Sequence, residues 1–216
     1  MSTSNFSLTV ALRQKILPAV TFDAEAHVLP VAEALLTAGL RVMEIPFRTM
    51  VAEKAIAAIR QTFPEMHVGA GTLLSPGQLT KAANAGAHFG LSPGFNQTVC
   101  NQAKRMGFPF IPGVMTPSEI ELANELGYNI MKLFPAEQIG GISFLKAMLG
   151  PYEQLDIKFI PMGGINIGNM VDYINVKNVI AVGGSWMVTR ELMEAKKYQE
   201  IRDNICAALA KTQTLI

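Results

Sequence analysis

The chain has 216 residues, half of them hydrophobic, enough for one large core and within the range of a single α/β barrel. Its formal net charge is +1 with no basic block, which argues against nucleic acid and anionic membranes as partners. Cys100 and Cys206 stand far apart, outside any CxxC or Cys/His cluster, which suits a reducing cytoplasm and argues against a disulfide framework or a zinc site.

The N-terminus, MSTSNFSLTVALRQKILPAV, lacks the basic head and long apolar core of a secretory signal, and no apolar run reaches the roughly 18 residues of a bilayer span. A soluble, cytoplasmic protein is the expectation. The first predicted element is a helix over about residues 5–15. A rhythm of short apolar runs and amphipathic stretches follows. Strands are predicted at 16–20 (ILPAV), 41–45 (RVMEI), 67–71 (HVGAG), 88–92 (HFGLS), 108–112 (FPFIP), 129–133 (NIMKL), 158–162 (KFIPM) and 179–183 (VIAVG). Between and after them, helical spacing covers 26–38, a segment with Val51, Ala55, Ile56 and Ile59 on one face, then 76–85, 96–106, 117–126, 141–149, 166–174 and 197–210. LSPGQL and MTPSEIEL carry helix-start signals, and LLTAGL, ANAGAH, AKRMGF and ANELGY end in glycine. Alternation of this kind implies a parallel sheet with right-handed crossovers. Eight units point to a closed (β/α)8 barrel with an extra N-terminal helix, one domain over 1–216. An open doubly wound sheet fits less well, because no GxGxxG follows the first strand.

Active sites of such barrels lie at the C-terminal strand ends. Glu44 and Arg48 fall there after the second strand, Thr72 after the third, Ser92 and Pro93 after the fourth, and Lys132 on the sixth. The seventh and eighth run into PMGGIN, with Gly163 and Gly164, and VGGSW, with Gly183, Gly184 and Ser185. Lys132 stands out within an apolar strand. Its head reaches solvent at the rim, or pairs with a structural carboxylate, or serves as a nucleophile. Burial favours the neutral form of an amine, which attacks carbonyls, and the protonated imine is an electron sink for carbon–carbon cleavage. Glu44 is then either a salt-bridge partner or the proton shuttle that imine chemistry needs. Arg48, otherwise a solvated loop residue, would form with Thr72 a fork and hydroxyl suited to a carboxylate. The two glycine pairs, with Ser185, occupy the usual phosphate position of this fold, where bare N–H groups hold an anion. His27, His67 and His88 are peripheral, so no catalytic metal is expected. The 12 methionines read as core filling, and Trp186 as packing under the last loop.

MEIPFRT, VGAGTLL, LSPGF, IPGVMTPSE, MKLFPAEQIGG, PMGGIN and VGGSW resemble, in order and spacing, the motifs of the KDPG/KHG aldolases, over about residues 10–210. The resemblance implies a class I aldolase on a (β/α)8 barrel, a homotrimer without metal or cofactor, acting on a phosphorylated 2-keto acid. It implies Lys132 as the Schiff-base lysine and Glu44 as the acid/base. Arg48 and Thr72 would bind the carboxylate, Pro93 and Phe134 wall the pocket, and Gly163, Gly164, Gly184 and Ser185 cradle the phosphate. Two residues depart from the pattern: Met162 where the family usually has threonine, and Pro46 in the loop presenting Arg48. Two rivals stay open, a phosphogalactonate-type aldolase of opposite C4 configuration and a catalytically silent phosphosugar-binding barrel.

Overall fold

The computed structural model describes residues 6–213. Its strands are β1 (Ile16–Pro18), β2 (Val42–Pro46), β3 (His67–Gly71), β4 (Phe89–Leu91), β5 (Phe110–Ile111), β6 (Gly113–Val114), β7 (Ile130–Leu133), β8 (Lys158–Pro161) and β9 (Val182–Gly184). All pair in parallel, in the ladders β1-β9, β2-β3-β4-β5 and β6-β7-β8. The Val20 N–H donates to the Glu44 carbonyl at 2.8 Å, and an Ala19–Glu44 bridge joins β1 to β2. Phe159–Val179 and Met162–Gly183 bridges join β8 to β9. Strands β5 and β6 are one course interrupted at Pro112, which has no N–H to give the ladder although its carbonyl accepts from the Lys132 N–H at 2.9 Å. The ring of eight closes as a (β/α)8 barrel.

The fifth strand thus sits further along than the predicted 108–112. Phe108 is still engaged in ending the preceding helix, its N–H donating to the Ala103 carbonyl at 2.9 Å. The first strand is shorter than predicted, and the last regular strand begins only at Val182.

The helices are α1 (Leu8–Ala11), α2 (Val28–Thr37), α3 (Ala52–Thr62), α4 (Pro76–Asn84), α5 (Gln97–Arg105), α6 (Pro117–Glu125), α7 (Gly141–Leu149), α8 (Met170–Ile174), α9 (Arg190–Glu194) and α10 (Tyr198–Gln213). The N-terminal helix expected over 5–15 is a single turn, and Asn5 lies outside the described residues. The helix expected from 166 starts at Met170. The Asn169 side chain accepts the Asn166 N–H at 2.8 Å and the Asn166 side chain accepts the Gly168 N–H at 2.8 Å, local bonds that compete with a helical turn. Helix α9 was not expected. Helix α6 starts as its sequence indicates, with a Thr116/Glu119 capping box and proline in its first turn. No helix among the described residues is long and apolar enough to cross a membrane.

Alternate strand residues point into the barrel or out to the helices, and both faces are covered, so the strands are buried nearly throughout. At the N-terminal end Phe6 stacks on His88, with ring centroids 5.1 Å apart, and His67 lies edge-on to both. Burial, then the Arg60 and His67 charges, lower the His88 pKa to about 4, while its Nδ1 accepts the Val68 N–H at 3.1 Å. The unfolded chain binds this proton near the ordinary value of about 6.5, well before the folded chain does. Stability is therefore expected to fall as pH drops from about 6.5 to about 4. Urea midpoints across that window should slope less in His88→Gln; an unchanged slope would assign the effect elsewhere.

Candidate active site

Lys132 sits in the middle of β7, in register with Gly113 of β6 and Ile160 of β8. Glu44 sits in the middle of β2, in register with Gly69 of β3. Both side chains enter the barrel: Lys132 is 5% exposed and Glu44 1%. The Lys132 ammonium lies 3.6 Å from Glu44 Oε1 and 5.2 Å from the centroid of the Phe134 ring. Glu44 Oε2 is buried and has no protein partner. A buried amine and carboxylate hold each other against the cost of desolvation, and an oxygen left over is a ready proton acceptor.

Glycine makes room for this pair. A Cβ on Gly71 would stand 1.8 Å from Glu44 Oε1. A Cβ on Gly113 would stand 2.3 Å from the Pro93 carbonyl carbon, so the turn after β4 packs directly on the register partner of Lys132. The Ser92 hydroxyl holds that turn, donating to the Gly94 carbonyl at 2.7 Å and accepting the Gly113 N–H at 3.2 Å.

Above the pair, Arg48 Nε donates to Thr72 Oγ1 at 3.2 Å. Thr72, directly after β3, adopts φ +55°, an uncommon conformation for a β-branched residue. Gly163 and Gly164 have φ +90° and +79°, which only glycine adopts without cost. The Gly164 carbonyl accepts from the Asn169 side chain at 3.2 Å, whereas the N–H groups of Gly164 and Ser185 meet no protein acceptor among the described residues. Unused donors of this kind form an anion cradle.

Glu44, Arg48, Lys132, Phe134, Gly163, Gly164, Gly184 and Ser185 line one cavity of about 380 Å³. Of the residues singled out in the sequence, Thr72 and Pro93 do not line it: Thr72 stands behind Arg48, and Pro93 behind Gly113. Thr21, Ile165 and Trp186 also line the cavity and were not foreseen as site residues. Thr21 follows the β1 end, where a polar residue is the signal to look for. Trp186 packs on Gly184 as well, with its indole N–H buried and unpartnered. Met162 lines the cavity as a 3% exposed thioether and fills the space that a Gly183 side chain would take. A larger hollow of about 800 Å³, between α7 and the first residue of β8, lies at the opposite end of the barrel from this chemistry. Among the described residues no three His, Cys, Asp or Glu side chains gather as a metal would require.

Residues 9–204 match the KDPG and KHG aldolase family. The chain belongs to that family. It is therefore a lyase that acts on carbon–carbon bonds. It is 42% identical to 2-dehydro-3-deoxy-phosphogluconate aldolase of Treponema pallidum (strain Nichols), over 88% of this chain and 89% of that one. A KDPG aldolase of Legionella pneumophila, with pyruvate captured as a covalent carbinolamine, superposes with a TM-score of 0.91 at 36% identity, covering 95% of this chain and 99% of that one. The 2-keto-3-deoxy-6-phosphogluconate aldolase of Zymomonas mobilis ZM4 with 3-phosphoglycerate superposes with a TM-score of 0.87 at 33% identity, covering 93% and 94%.

For this aldolase, Gly71→Ala is expected to cut kcat/KM about 100-fold by pushing the Glu44 carboxylate out of place, with far less effect on KM than on kcat. Steady-state kinetics beside a circular dichroism spectrum check it; an active Gly71→Ala enzyme would mean that the carboxylate position is not critical.

Proposed function

We propose that the protein cleaves 2-keto-3-deoxy-6-phosphogluconate to pyruvate and glyceraldehyde 3-phosphate, and 4-hydroxy-2-oxoglutarate to pyruvate and glyoxylate, through a Schiff base on Lys132. One observation carries this reading: a buried amine 3.6 Å from a buried carboxylate, in a cavity that also holds a guanidinium and free backbone donors. The relatives' names, and the carbinolamine captured in one of them, support it.

Lys132 Nζ attacks the C2 carbonyl carbon, and loss of water from the carbinolamine leaves a protonated imine. Arg48, its guanidinium set by Thr72, takes the C1 carboxylate bidentately. Glu44 accepts the proton of the C4 hydroxyl as the C3–C4 bond breaks, and the bonding electrons pass into the imine. The aldehyde leaves, the enamine is protonated at C3, and water hydrolyses the imine to free pyruvate and the amine. The phosphate lies against Gly163, Gly164, Gly184 and Ser185, held by the free Gly164 and Ser185 N–H groups. Phe134 walls the pocket directly, and Pro93 does so through the turn covering Gly113. The same imine could release carbon dioxide from oxaloacetate as a side reaction.

The test is a borohydride trap. Pyruvate plus borohydride should leave a reduced pyruvyl adduct on Lys132, read by peptide mass mapping. A folded protein that gains no adduct would overturn the reading. Comparing the two C4 epimers as substrates decides between the gluconate and galactonate series. We further infer a cytoplasmic homotrimer, the assembly the family resemblance implies and the compartment that suits two unpaired cysteines. Sedimentation should give three times the 23.4 kDa chain mass; a monomer would refute it.

A further inference from the structure

Beside the glycine cradle is a side-chain pair that the chemistry above does not use. Glu137 lies four residues beyond the end of β7, and Tyr173 lies on α8, the helix that follows the cradle. The Tyr173 hydroxyl donates to Glu137 Oε1 in a close hydrogen bond. Tyr173 is fully buried, and its hydroxyl needs a partner there. Burial, reinforced by the Glu137 carboxylate, pushes its ionisation well above the usual phenol range, so it remains a donor.

The pair touches the cradle from behind. The Glu137 N–H donates to the Gly163 carbonyl at 3.1 Å, and the Ala136 N–H donates to the Met162 carbonyl at 2.8 Å. A Cβ on Gly164 would stand 2.5 Å from Glu137 Cβ, so the second glycine lies flat against this side chain. A Cβ on Gly141, at φ +62°, would stand 3.2 Å from Glu137 Oε1 and 3.3 Å from the Tyr173 hydroxyl, so the chain keeps space open for the bond. The Met162 and Gly163 carbonyls are thereby anchored outward, and the Gly164 N–H is left for the cavity. The strand bearing Lys132 is tied through Glu137 both to the turn and to the helix after it.

We infer that Glu137 and Tyr173 are positioning residues for the Gly163–Gly164 turn, and that they set the preference for a phosphorylated aldehyde half over an unphosphorylated one. This rests on the phosphate assignment above. A residue that only held the barrel together would alter both substrate classes alike. A residue that aims the cradle alters one.

The test compares kcat/KM for 2-keto-3-deoxy-6-phosphogluconate with that for 4-hydroxy-2-oxoglutarate, and measures inorganic phosphate as a competitive inhibitor. In Tyr173→Phe and Glu137→Ala, the ratio of the two kcat/KM values should fall about tenfold through KM of the phosphorylated substrate, with a parallel loss of phosphate inhibition, the scale of one weakened anion contact. Glu137→Gln, which still accepts from the tyrosine, should recover most of the ratio. Equal losses on both substrates, or an unchanged ratio, would overturn the inference. The pyruvate–borohydride adduct on Lys132 reports the aldolase reading separately. An adduct with an unchanged ratio refutes only the positioning role. Phosphate inhibition that survives in both variants refutes it whatever the substrate.

Discussion

Lys132→Met is expected to lower kcat/KM for keto-acid cleavage by on the order of 10⁴-fold or more, because the covalent route closes and, among the described residues, no second lysine lines the cavity to reopen it. Methionine fills much the same volume without a charge. The variant leaves Glu44 buried without its cation, and breaking a buried pair from one side costs about 3–5 kcal/mol. A lower unfolding midpoint should therefore accompany the kinetic loss, and rapid-quench assays with the urea midpoint read both. Cleavage within tenfold of the parent would remove Lys132 from the mechanism.

Glu44→Gln is the second large effect. It keeps the shape and one acceptor but removes the proton shuttle, for an expected loss of about 10²–10⁴-fold in kcat. Imine formation and cleavage both need that shuttle, so borohydride trapping should slow along with turnover. Because the two side chains are in contact, their effects on stability are not additive. The double variant, with neither charge left inside, should unfold at a higher urea concentration than Glu44→Gln alone. If Glu44→Gln turned over normally, the carboxylate would be only a counter-charge for Lys132.

Much of this was legible before the fold was known. A lysine inside NIMKL and a glutamate inside VMEIP break otherwise apolar strands, and such breaks are easily read because so few residues at those positions are charged. The glycines that line the cavity were legible because a glycine pair falls at the end of each of the last two strands. What was lost came from phase and from local competition. Strand ends could be placed only to within a residue or so, which sufficed to find Arg48 but not to tell that Thr72 and Pro93 stand behind the cavity wall. Pro112 splits a strand at a point that no pattern of apolar residues marks. The asparagines at 166 and 169 hold back a helix whose periodicity begins before them. Trp186 was assigned to packing, which it does, but its ring also forms part of the wall.

The glycines inside the barrel have a consequence for how this sequence can drift. Two large interior side chains are matched to an empty position on the neighbouring strand: Phe89 to Gly69 and Glu44 to Gly71. Such residues are inherited as couples. A methyl gained at 69 collides with the Phe89 ring unless that ring has already shrunk, and a smaller residue at 89 leaves a hole unless 69 has already grown. Either step alone is penalised and the two together are tolerated, so the order of substitutions restricts the lineage as much as their identity. Under the proposed mechanism the Glu44–Gly71 couple is the more restricted of these, since Glu44 could not shrink and Gly71 therefore could not grow.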